Sequence, residues 1–245
     1  MIRDALPATA ADRVAAVPRR GHGHAGVQQI YEDLRERIVS VVLEPGAGLS
    51  EARIAEQYGV SRTPVREAFK RLAEDGFLDV IPQVGTYVAR IDLGVVQGNL
   101  FVRETLECRI AELAASRIDA GGKQLLRSNL AQQRAAIEAR DAAAFFRADE
   151  ALHRLLASIA GQPGAWSIVH AAKSQLDRVR RLSLDDHSRM RTRWSEHRDI
   201  VDRVDRGDGD GAADAMRRHV RSALDAITEI ATLHAAYFTP FGRTP

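Results

Sequence analysis

The chain has 245 residues, 45% of them apolar and 28% charged, with 8 Pro and 18 Gly. That composition suits one large or two modest globular domains and excludes collagenous, broadly disordered and coiled fibrous classes. Lys+Arg number 35 against Asp+Glu 33, so the net charge of +2 selects no partner, and no apolar run reaches the roughly 18 to 20 residues of a membrane span.

The N-terminus lacks a basic segment followed by an apolar stretch, which argues against secretion. The lone Cys108 cannot form an internal disulfide; this fits a reducing, cytoplasmic compartment, and its plain reading is a small buried hydrophobe. Residues 1–26 have no periodicity and read as a disordered tail, with His22 and His24 as tail residues rather than ligands. From Val27 the pattern changes. Ile30, Leu34, Ile38 and Val41 recur at helical spacing, and Glu44-Pro45-Gly46 breaks the helix, which the spacing predicts over 27–41. Ser50 starts a second helix that stops at Gly59, and Ser61, Thr63 and Pro64 supply cap and first-turn residues for a third. In that third helix Val65, Ala68, Phe69 and Leu72 form the inward stripe while Arg62, Arg66 and Lys70 run along a flank.

Phe77 to Ile81 and Thr86 to Arg90 read as strands joined by Pro82-Gln83-Val84-Gly85, so residues 27–90 form a winged helix-turn-helix. Residues 91–98 read as a linker and 237–245 as a C-terminal tail. Between them, 99–236 reads as about six helices divided at Gly121-Gly122, Asp141, Gly161 to Gly164, Asp185-Asp186 and Gly207 to Gly211. Such short connections favour an antiparallel all-helical bundle, and the fold class is mainly α.

A helix-turn-helix lays the N-terminal end of its second helix in the DNA major groove, where short polar side chains hold phosphates and Arg reads guanine edges. Ser61, Arg62, Thr63 and Arg66 suit those tasks, whereas a basic flank on an arbitrary helix is usually just solvated. In the bundle, Asp149 and His153 stand at i, i+4 within the apolar arc of Phe145, Phe146, Leu152, Leu156 and Ile159. His197 shares a face with Trp194, Ile200, Val201 and Val204, and His219 with Met216, Val220, Ala223 and Ile227. A single inward histidine is usually a core residue bonded to backbone. One carboxylate and three imidazoles placed inward together fit a divalent cation, zinc first, with nickel or another transition metal as alternatives. Arg103 also points inward, and either a ligand carboxylate or Glu107 one turn on would satisfy it.

The run SRTPVREAFKRLAEDGFL, with PGAGLSEARIAEQYGV before it and QVGTYV after it, resembles the DNA-binding domain of GntR-type bacterial regulators. VRETLECRIAELAA, the D-x-x-x-H at Asp149 to His153, EHRDIVDRV and AMRRHV are similar to the FCD domain of the FadR-like subclass. The resemblance implies that Ser61, Arg62, Thr63 and Arg66 contact operator DNA, with Gly85 at the wing tip. Ala52 stands where many relatives carry an Arg, and Arg53 is the candidate to compensate. The resemblance further implies a metal held by Asp149, His153, His197 and His219, a small organic acid paired with Arg103, and a homodimer on a palindromic operator. The expected function is a metabolite-responsive repressor released by a carboxylic acid. The alternatives are a regulator whose signal is the metal itself and a metal-dependent hydrolase, for which no general base is evident.

Overall fold

The computed structural model describes residues 26–183 and 187–239. Expectations for residues 1–25, including His22 and His24, for the Asp185-Asp186 break and for residues 240–245 lie outside them. Two compact units result: one runs to Asp92 and takes in His234 to Thr239, and the other is Leu93–Leu233.

The first unit contains α1 (Val27–Val39), β1 (Gly48–Leu49), α2 (Glu51–Tyr58), α3 (Arg62–Glu74), β2 (Leu78–Ile81) and β3 (Gly85–Val88). The first helix is shorter than the periodicity suggests, because Ser40 folds its hydroxyl back onto the Glu36 carbonyl and Val41 adopts a left-handed φ of 61°. Ser50 caps α2 by accepting the Arg53 amide, and Gly59 closes it at φ 65°, ψ 35°, a conformation in which a Cβ is penalised. Ile30, Leu34, Ile38, Ile54, Val65, Phe69, Leu72, Phe77 and Val88 form one core, each burial contributing about 1.5 to 3 kcal/mol for a large side chain.

The sheet has three antiparallel strands in the order β1-β3-β2, with Leu78 opposite Val88, Ile81 opposite Gly85 and Leu49 opposite Thr86. The strand β1 escaped the sequence reading because two residues carry no period. The segment expected as a linker is mostly helix: α4 begins at Leu93, leaving only Ile91 and Asp92 as a connection. Ile91 is buried, donates to the Tyr237 carbonyl at 2.9 Å and accepts the Thr239 amide at 3.0 Å. The start of the expected C-terminal tail is thus paired, a contact between residues too far apart in sequence for periodicity to reveal.

The second unit comprises α4 (Leu93–Arg117), α5 (Ala120–Glu138), α6 (Ala142–Ile159), α7 (Pro163–Ala172), α8 (Ser174–Ser183), α9 (His187–Asp205) and α10 (Gly209–Leu233). Asp119, Asp141 and Asp208 accept the amides of Gly122, Ala144 and Gly211, so Gly121-Gly122 and Gly211 lie inside first helical turns rather than between helices. A Cβ at Gly122 would meet the Ile118 Cδ1 at 2.7 Å and push that side-chain end aside. The bundle has seven helices among the described residues rather than six, since α7 and α8 part at Lys173 without a Gly or Pro signal. The helix α10 packs along α4 and α9, α5 along α6 and α9, and α4 against α6 and α7. Among the described residues no helix is long and apolar enough to cross a membrane. Cys108 is buried, which pushes its thiol up to about 11 and makes it inert.

Candidate nucleic-acid interface and metal centre

Ser61, the N-cap of α3, makes no side-chain cap hydrogen bond, and Ser61, Arg62, Thr63 and Arg66 are all exposed on the N-terminal half of that helix. Arg62 and Arg66, four residues apart, converge on one carboxylate: Glu51 Oε2 lies 3.2 Å from Arg62 Nη2 and 3.3 Å from Arg66 Nη2. Burial nudges Glu51 up, but Arg66 and Arg62 outweigh it and hold its carboxyl below the usual carboxylate range. Glu51 therefore fixes the spacing of two guanidinium forks at little energetic gain, since such exposed pairs are worth about 1 kcal/mol or less. It was missed in the sequence because its partners lie 11 and 15 residues away across the turn. Arg53 is exposed on α2, and Gly85 opens β3 next to the turn that carries Gln83 at φ 61°. Val80, Ile81 and Val84 are exposed, so the wing of this chain ends in apolar rather than basic side chains.

In the bundle, α6, α9 and α10 bring His153, His197 and His219 together, all buried, with one ligand atom from each within 4.8 Å of the others. Their outward nitrogens each face a side-chain oxygen. His197 Nδ1 is 2.8 Å from Gln133 Oε1, His219 Nδ1 is 2.8 Å from Glu196 Oε2 and His153 Nδ1 is 2.5 Å from Glu107 Oε2. Gln133 directs its amide NH2 to Asn129 Oδ1, and Asn129 donates in turn to the Ala148 carbonyl. The Gln133 carbonyl is thereby turned to His197, which makes Nδ1 the protonated nitrogen and leaves the lone pair on Nε2. Among the described residues, both ring nitrogens of His153, His197 Nε2 and Asp149 Oδ2 make no hydrogen bond, the His153 Nδ1 approach to Glu107 being an ion-pair contact only. Buried polar atoms are seldom left this way, and imidazoles anchored from behind by carboxylate or amide oxygens are what metal sites require.

Burial pushes His197 down to about 3, with the charges of His153, Arg180 and Arg193 adding to it against Asp149. Burial likewise holds His219 well below the ordinary value. Neutral imidazoles are the form that ligates metal. The unfolded chain takes up a proton on His197 below about pH 6.5 that the folded chain refuses until about pH 3, so stability falls as pH drops through that window. Full titration of this residue costs on the order of 5 kcal/mol. Chelator-treated protein should thus unfold at clearly lower denaturant at pH 4.5 than at pH 7, and His197→Gln should flatten the difference. Equal midpoints in the parent protein would contradict a neutral buried His197.

Asp149, fully buried, lies beside the cluster, its Oδ1 3.4 Å from His197 Nε2, but the same oxygen accepts from Arg180 Nη2 at 2.6 Å. Burial raises its carboxyl, yet Arg180 and the histidines outweigh that and hold it well below the usual range. Arg180 was not singled out in the sequence, where its partner Asp149 lies 31 residues away. Arg103 meets the nearer of its two expected partners, Glu107 Oε1 at 2.5 Å, with Oε2 at 3.4 Å from its Nη2. His170 pairs with Glu150 on the outer part of the bundle, and His234 stacks on Tyr237.

Comparison with known proteins agrees with both halves. The model described as bacterial regulatory proteins of the gntR family matches residues 27–88, and the FCD domain model matches residues 100–222. The HTH-type transcriptional repressor RspR of Escherichia coli (strain K12) is 38% identical over 212 residues, covering 86% of this chain and 93% of that protein. The probable D-xylose utilization operon transcriptional repressor of Paenarthrobacter nicotinovorans is 29% identical over 209 residues, covering 81% and 87%. Among solved structures, E. coli McbR/YncC has a TM-score of 0.72 at 19% identity, covering 83% of this chain and 97% of that one, which is a likeness of fold. With its matched winged helix, its exposed arginine-bearing α3 and its matched helical domain, the chain belongs to the GntR family and is a DNA-binding transcription regulator of the kind that carries an FCD domain.

Proposed function

We propose that the protein is a repressor acting in the bacterial cytoplasm, released from its operator by a small carboxylic acid that binds beside a divalent metal. The observation that carries this reading is the trio of buried imidazoles of His153, His197 and His219, one ligand nitrogen from each within 4.8 Å of the others, with the Nδ1 atoms of His197 and His219 held by Gln133 and Glu196. His153, His197 and His219 would hold the ion with Asp149 as the adjoining carboxylate, and zinc or nickel suits that donor set. When bound, the ion supplies open coordination positions for carboxylate or hydroxyl oxygens. The repressor sign is supported by the names of the two relatives above, both called repressors.

On the DNA side, Arg62 and Arg66 of α3 read base edges while Ser61 and Thr63 hold phosphates, Gly85 lets the wing approach the backbone closely, and Arg53 flanks the site from α2. A homodimer on a palindromic operator places two copies of α3 about one helical turn apart. Acid binding needs to shift operator affinity by only 1 to 3 kcal/mol, about 5- to 150-fold, to act as a switch.

The test uses untagged protein purified without added metal, with metal stoichiometry and operator affinity measured before and after addition of a panel of small carboxylic acids. About one metal per chain, and an acid that weakens operator binding only when the metal is present, is the expected result. Loss of operator binding on chelation, without dependence on any acid, would make the metal itself the signal and overturn the acid-responsive reading.

A further inference from the structure

Residues 27–90, which span the match to the gntR family, carry 8 Lys+Arg against 10 Asp+Glu, an excess of acid in a unit whose partner is a polyanion. The wing adds no cation, since Asp79 is the one charged residue between Leu78 and Val88. Binding to DNA of arbitrary sequence comes from Lys and Arg neutralising phosphates. On α3, Arg62 and Arg66 have side chains 62% and 68% exposed, yet both already face Glu51. Arg66 meets both oxygens of that carboxylate, with Nε 3.5 Å from Oε1 and Nη2 3.3 Å from Oε2, and Arg62 Nη2 meets Oε2 at 3.2 Å. Glu51 stands in the first turn of α2, where the positive end of the helix favours its charge. The three groups together present one net positive charge instead of two. Exposed pairs of this kind are weak enough to be exchanged for other partners. Among phosphates an exchange leaves the carboxylate facing like charge. At a base edge it does not, because guanine O6 and N7 are uncharged acceptors and the cytosine amino group is a donor that a carboxylate can accept.

We propose that Glu51 is a selectivity residue, which withholds Arg62 and Arg66 from phosphates and yields them to guanine edges, so that it suppresses binding to arbitrary DNA more than binding to operator. This rests on the reading above that α3 reads bases in the major groove. Glu51 acts through the two arginines and is a positioning residue for them. Its effect falls on the ratio of specific to non-specific affinity. That ratio decides occupancy in a cell, because competing sites outnumber an operator by roughly a million-fold or more.

The experiment uses the full chain and two duplexes, one that the parent protein selects from a random-sequence pool and a scrambled one of the same composition. Fluorescence anisotropy from about 50 to 200 mM salt gives affinity and salt slope on each. Glu51→Gln keeps the shape, removes the charge and leaves Ser50 and Gly59 to bound α2. It should bind the scrambled duplex at least about fivefold more tightly at the lowest salt, with a slope steeper by about one. Affinity for the selected duplex should move by less than about twofold, so the ratio falls about as far as non-specific binding rises. Glu51→Asp, which keeps the charge, should leave the scrambled duplex near its parent affinity, and Glu51→Ala carries the same expectations as Glu51→Gln should the latter not fold. Glu56→Gln removes an exposed carboxylate from the same helix and should leave the ratio unchanged. An equal gain on both duplexes in Glu51→Gln, no gain on the scrambled one, or the same fall in ratio in Glu56→Gln would overturn the proposal. Arg66→Ala separates the two readings. Full affinity of that variant for the selected duplex would overturn the recognition role of α3 and this inference with it, whereas a loss there beside an unchanged ratio in Glu51→Gln would overturn the selectivity role alone.

Discussion

His219→Ala is expected to reduce bound metal from about one per chain to a small fraction, with at least about a 100-fold loss of affinity for zinc. The three imidazoles come from three different helices and are buried among one another, with ring centres 4.6 to 5.6 Å apart, so the loss of one removes a third of the imidazole donors. Losing even an outer partner of a ligand typically costs 10- to 100-fold in affinity, and losing the ligand costs more. The substitution also leaves Glu196 without its imidazole partner, though Arg193 at 3.1 Å still faces it. His219→Gln therefore makes a useful companion, since its amide can still bond Glu196. Elemental analysis of the purified variants and competition against a chelator of known affinity give the answer. Full retention of metal by both variants would refute the three-histidine centre. Operator affinity in the absence of acid should hardly move.

Arg66→Ala is expected to weaken specific operator binding by about 10- to 100-fold, corresponding to about 1 to 3 kcal/mol for a bidentate base contact. Arg66 is exposed on α3, and its side chain is held beside Arg62 by a shared carboxylate rather than by the core, so its removal leaves Val65, Ala68, Phe69 and Leu72 packed as before. Glu51 would be left with Arg62 alone and would carry an under-balanced negative charge toward the DNA phosphates, adding to the loss. Fluorescence anisotropy with operator and scrambled duplexes at several salt concentrations separates lost base reading from lost phosphate attraction. The specific complex should suffer far more than the non-specific one, and metal content should stay unchanged. An unaltered operator affinity would remove α3 from the recognition role.

These two expectations stand on features that were legible to different extents before the structure. The winged helix was readable almost residue by residue, because its determinants are local: Ser50 and Gly59 bound α2, Ser61 opens α3, and the inward stripe of α3 repeats at helical spacing. The four inward polar residues of the bundle were readable for the same reason, each lying on the buried side of its own helix. Asp141, which caps α6, was visible as a boundary, but the glycines at the starts of α5 and α10 were taken for breaks when they serve the first turn, and the capping Asp119 and Asp208 were not singled out.

By itself, then, the sequence determined the family, the two-part helical architecture, the exposure of Arg62 and Arg66 on the flank of α3 and the direction in which His153, His197 and His219 point. The tertiary structure alone decided what meets them: Gln133, 64 residues from His197, Glu196 behind His219, Arg180, 31 residues from Asp149, and the single carboxylate that spaces Arg62 from Arg66. The pairing of Ile91 with the segment around Phe238 belongs to the same class. The physical reason is that periodicity reports a side chain's direction about its own helix axis. Which group waits on the facing element depends on how helices distant in sequence pack, and with that packing comes the pairing of charges that assigns Asp149 to an arginine.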